Sequence, residues 1–72
     1  MTTEITPQSL SRREWQVVQK IMQGLPNKLI ADQLFITERT VKFHCANIYR
    51  KLNIPNRSCL ITRMFKAMPG AL

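Results

Sequence analysis

Apolar positions in the middle of the chain recur at helical steps. Val41, Cys45, Ile48 and Leu52 are separated by four, three and four residues, which at 100° per residue places them within about 30° of one direction. That spacing predicts a helix with one sealed stripe, and Thr37 is a good N-cap for it. Upstream, Trp15, Val18, Ile21, Met22 and Leu25 make a second stripe. Ser11 followed three positions later by Glu14 has the spacing of a capping box, so a first helix is predicted over Arg12 to Gln23, with Gly24 as its terminator. Pro26 is tolerated at a first helical position, where the amide has no partner anyway. It opens a short second helix that ends near Leu34 and turns Ile30, Ala31 and Leu34 inward. Phe35 and Ile36 are expected to fill the connection. Pro55 disfavours helical geometry at Ile54, and Asn56 caps a fourth helix from Arg57 to about Met68. With no strand-like alternation, repeat or low-complexity tract, the expectation is an all-α domain of four short helices over residues 10–69, with a flexible leader 1–9 and a tail 70–72.

Charge narrows the partners. In 72 residues, eleven Lys and Arg stand against four acids, a formal net charge of +7, which favours polyanions and nucleic acid first among them. A core of this size is marginal alone, so a second subunit is expected to assist. Cys45 and Cys59, with the single His44, are too few for a zinc site or a disulfide framework and are read as buried small hydrophobes. No metal or cofactor is expected. No run of about 18 apolar residues is present and the N-terminus lacks the order of a signal peptide, so the expected location is the cytoplasm, with no membrane partner.

The face opposite the Val41 stripe carries the candidate chemistry. Arg39, Phe43, Ala46, Asn47 and Arg50 lie there, with Lys42 and Lys51 on the flanks. A solvated face gains nothing from a phenyl ring. In a major groove, by contrast, guanidinium groups read guanine, amides read adenine, and apolar groups meet thymine methyls. Base contacts are therefore expected from Arg39, Lys42, Phe43, Ala46 and Asn47. The short turn "LFIT" between helices two and three makes a helix-turn-helix. Phosphate contacts are expected from Asn27 and Lys28 at the start of helix two, from Thr40, Arg50 and Lys51, and from His44 at the border of the face. His44 has no Ser, Cys or carboxylate placed to use it, so no enzyme is expected. Single-stranded RNA would require a stacking platform that one Phe43 does not make.

At these residues the chain resembles the LuxR-type, or GerE-type, helix-turn-helix domain, over about Leu10 to Met68. The likeness is carried by "LSRRE", "GLPNKLIA", "ITERTVKFH" and "NIYRKL", followed by "NR". It implies a four-helix transcription-factor domain whose third helix enters the major groove and whose fourth pairs two subunits. It also implies base or phosphate contacts at Lys42 and Phe43, phosphate contacts at Asn27, Lys28 and Thr40, and core places for Val41 and Leu52. The family usually carries a small polar cap at the position of Pro26, an acid at that of Leu29, and often a basic residue at that of Ala46. The promoter-reading domain of sigma factors shares part of the pattern, but "NIYRKLNIPNR" and a whole fourth helix favour the LuxR type.

Helix four is broader in apolar residues than a small core needs. Ile61, Met64, Phe65 and Met68 make its inward stripe, and Leu60 and Ala67 widen it. A homodimer contact through Leu60, Met64 and Ala67 would cover the excess and match paired half-sites on DNA. Leu29, expected to face outward, suggests an alternative: an interaction module that pairs with a larger LuxR-type regulator. No sensor region accompanies the domain, so control is expected from its abundance or a partner, unless the chain is a piece of a longer protein.

Overall fold

The computed structural model describes residues 10–67, except for the side chain of Ala67, and contains four helices: α1 (Arg12–Met22), α2 (Asn27–Leu34), α3 (Glu38–Leu52) and α4 (Arg57–Ala67). The expected leader, tail and Met68 lie outside the described residues. Local chemistry sets the starts. Ser11 Oγ accepts the Glu14 amide at 3.1 Å while the Ser11 amide donates to Glu14 Oε1 at 2.9 Å, which is the expected capping box. The Thr37 side chain caps α3, and Asn56 Oδ1 accepts the Cys59 amide at 2.9 Å to cap α4. Pro26 sits one position outside α2 as its N-cap and supplies no side-chain bond.

Three helices end in the same way. After α1 the amides of Gly24 and Leu25 reach back to Ile21 and Lys20. Phe35 and Ile36 reach back to Asp32 and Ala31 after α2, and Asn53 and Ile54 to Arg50 and Tyr49 after α3. Each pair of bonds satisfies carbonyls that the last turn would leave open, and each needs one residue in the left-handed region. Gly24 (φ 85°) and Asn53 (φ 57°) suit that conformation; Phe35 (φ 60°) does not. Nor does Phe35 fill the connection, because its side chain is 93% exposed. Phe35→Asn is therefore expected to raise stability by roughly 0.5–1 kcal/mol, or several degrees in melting temperature, since it removes a β-carbon penalty without losing packing. An unchanged or lower melting temperature would show that the phenyl ring stabilises the turn.

The core gathers around α3. Val41, Cys45, Ile48 and Leu52 are all buried, as their spacing predicts, against Val17, Val18 and Ile21 of α1 and Ile30 and Ala31 of α2. Val17 is an addition to the predicted stripe, whose Trp15, Met22 and Leu25 pack at the margin. The fourth helix corrects two expectations. Leu60, expected to meet a second subunit, is sealed in the chain's own core at 0% exposure, and Met64, expected on the inward stripe and also at that contact, is buried at 1%, while Phe65, expected inward, is 49% exposed. The reason is that α1 packs against α4, so the covered arc is centred nearer Leu60 than a wheel of α4 alone indicates. Arg57 and Arg63 complete the closure by donating to the carbonyls of Leu25 and Leu52.

Candidate nucleic-acid interface

Burial of one stripe on α3 decides what the other presents. Arg39, Lys42, Phe43, Ala46 and Arg50 are exposed and Asn47 is half-buried. Phe43 keeps 63% of its surface open to solvent, and its ring leans on His44 with centroids 5.9 Å apart and planes tilted by 60°. His44 is half-buried, and its Nδ1 has no hydrogen-bond partner among the described residues. Behind this face, burial pushes the Cys45 thiol up, and burial next to Cys45 pushes the Tyr49 phenol up to about 12. Both stay neutral, so the charge of the outer face comes from its Lys and Arg residues.

At the starts of α3 and α2, donors are held in place. Thr37 Oγ1 accepts the Thr40 amide at 3.0 Å, and the two threonine hydroxyls lie 2.9 Å apart. At the start of α2, Asn27 Oδ1 accepts from Arg57 Nη1 at 3.4 Å. That bond uses the carbonyl side of the amide, so the Asn27 NH2 group is the side left to donate outward. Lys28 beside it is exposed.

Lys51 is the exception among the expected phosphate contacts. Its Nζ lies 2.8 Å from Glu14 Oε1, in a pair that ties the C-terminal half of α3 to the first turn of α1. Burial raises the Glu14 carboxyl, but the Lys51 ammonium and the Ser11 amide and hydroxyl outweigh it and hold it below its ordinary range. The carboxylate is therefore charged at neutral pH and takes one of the three donors of the Lys51 ammonium, whose side chain remains 36% exposed. Cys59 is corrected: it is half-buried where a buried thiol was expected, and both cysteines are free. The sequence held a signal for the pair only in retrospect, because Glu14 and Lys51 are 37 positions apart.

No helix among the described residues is long and apolar enough to cross a membrane, and no group of three or more His, Cys, Asp or Glu among them could hold a metal ion. Two short helices joined by a tight turn, the second showing a basic outer face, define a helix-turn-helix domain of DNA-binding transcription regulators. Residues 8–64 match the family described as "Bacterial regulatory proteins, luxR family" (GerE), and the chain belongs to that family. It is 48% identical over 58 residues to the "Nitrate/nitrite response regulator protein homolog" of Haemophilus influenzae, covering 81% of this chain and 28% of that protein. It is 50% identical over 62 residues to "Nitrate/nitrite response regulator protein NarP" of Escherichia coli K12, covering 86% and 28%. Among solved structures it resembles the response regulator ChrA of a heme-sensing two-component system, with a TM-score of 0.73 and 39% identity over 93% of this chain and 33% of that one. The chain thus spans about a third or less of each of these relatives.

Proposed function

We propose that the chain binds double-stranded DNA in a sequence-specific manner to regulate transcription, with α3 in the major groove. One observation carries the reading: sealing Val41, Cys45, Ile48 and Leu52 inside leaves Arg39, Lys42, Phe43 and Ala46 open on the opposite face. Together with Asn47 these residues are the proposed base contacts. Asn27, Lys28, Thr40, His44 and Arg50 are the proposed phosphate contacts, which supply affinity and register. The proposed place of action is the cytoplasm, at the nucleoid when DNA is bound.

Selection of duplexes from a random pool at moderate salt tests the reading. The wild type is expected to enrich a defined sequence, and Lys42→Ala and Phe43→Ala to shift it. Equal weakening on the enriched and the random duplexes by Phe43→Ala would contradict base reading. Phosphate contacts are separable by salt: Arg50→Gln is expected to lower the slope of log K against log salt by about 1, whereas Lys51→Gln leaves it unchanged.

Pairing of two copies through α4 is proposed with different residues from those expected. Phe65, 49% exposed, and Ile61, half-buried against the core, are four apart and therefore on one face, and among the described residues they are the large apolar side chains of α4 that stay partly open. A two-fold contact there suits half-sites about one turn of DNA apart. The interaction-module alternative rests on Leu29, which is 44% exposed.

A further inference from the structure

Thr37 and Thr40 hold their hydroxyl oxygens 2.9 Å apart at the start of α3, and either hydroxyl can be the donor. Thr37 Oγ1 also accepts the Thr40 backbone amide at 3.0 Å. A hydroxyl carries one proton and two lone pairs, so the two directions of the pair leave different groups at the surface. When Thr40 donates to Thr37, Thr40 is left with lone pairs, which repel a phosphate oxygen. When Thr37 donates to Thr40, the Thr40 proton is released for an outside acceptor. The first direction blocks the anion and the second receives it.

We propose that Thr37 is a positioning residue for DNA binding. A phosphate oxygen at Thr40 selects the chain in which the Thr37 hydroxyl donates to Thr40 Oγ1 and the Thr40 hydroxyl donates to the phosphate, with Thr37 held in place by the Thr40 amide. The inference rests on the DNA-binding reading and adds a second role to the helix cap. Hydrogen bonds in series polarise one another, and an ionised acceptor strengthens the last of them. The two hydroxyl oxygens already lie 2.9 Å apart and either can be the donor, so the relay requires only rotation of the hydroxyl protons.

The test is a double-mutant cycle on the enriched duplex, with thermal melting of every variant to confirm folding. Thr37→Ala removes the donor, and Thr40→Val removes the hydroxyl that it orients while keeping the branched shape. Thr37→Gly is the second donor-free variant, because glycine is nearly as good a cap and keeps the domain folded. Loss of the Thr37 hydroxyl is expected to weaken binding about five- to tenfold when Thr40 is present, and less than twofold in the Thr40→Val background. Thr37→Ser is expected to restore wild-type affinity. Replacing single phosphates with neutral methylphosphonates is expected to find one position whose penalty vanishes in both Thr37→Gly and Thr40→Val. The same fold-loss in both backgrounds, with unchanged methylphosphonate penalties, would leave Thr37 a cap alone and overturn the proposal. A wild type that prefers no duplex over the random pool would instead sink the DNA-binding reading beneath it.

Discussion

Ile48→Ala is expected to leave the domain largely unfolded at 37 °C. Ile48 is fully buried at the centre of the α3 stripe, and truncating a buried isoleucine costs about 2–5 kcal/mol in lost burial and residual cavity. A domain of this size holds only about 3–5 kcal/mol in all, so the loss is comparable to the whole. Ile48→Val, which removes one methylene, is expected to cost about 1 kcal/mol and to remain folded. Helical circular dichroism followed through urea titration measures both. A cost below about 1 kcal/mol for the alanine variant would mean that the stripe is not the main packing surface, and the assignment of α3's outer face would go with it.

Glu14→Ala is expected to cost about 2 kcal/mol at neutral pH, through the lost cap and the lost charge-assisted bond to Lys51. The pH dependence separates those two parts. In the native state the Glu14 carboxyl is held below its ordinary range, so the unfolded chain binds the proton more readily than the folded one. The stabilisation is therefore fully present above the ordinary carboxylate range and is lost as pH falls through the lowered native value. Melting temperatures of the wild type and Glu14→Gln, which keeps a capping side chain but not the charge, are expected to differ at pH 7 and to converge at acid pH. Curves that stay parallel would show that the pair with Lys51 contributes nothing to stability.

The same pair matters for function. Lys51 lies on the flank of the proposed DNA-facing side of α3, yet its ammonium is 2.8 Å from the carboxylate of a residue 37 positions away. A buried carboxylate deprived of its cation is left uncompensated, so transfer of Lys51 to a phosphate would weaken the scaffold that holds α3. Arg39, Lys42 and Arg50 carry no such commitment among the described residues and are the α3 cations proposed to meet DNA.

Elements with a local cause were legible in the sequence. The capping box at Ser11 and Glu14, the N-caps Thr37 and Asn56, and the stripe from Val41 to Leu52 depend on residues within a turn or two of one another. Spacing alone reports them. Phe35 escaped because a chain reversal after α2 requires a left-handed residue whatever side chain stands there, and no glycine or asparagine marked the place. Leu60 and Phe65 were misplaced because a helical wheel shows how wide an apolar arc is, not which part of it a neighbouring helix covers.

The amino-acid sequence by itself determined the four helices, the sealed face of α3 and hence the basic, phenyl-bearing face turned outward, because helical periodicity and capping act over a few residues and survive any arrangement of the rest. Only the tertiary structure decided that Lys51 pairs with Glu14, that Asn27 is oriented by Arg57, and that Leu60 of α4 is sealed inside while Phe65 stays at the surface. Each of those outcomes depends on which distant groups packing brings within hydrogen-bond or van der Waals reach, a distance that linear order does not encode.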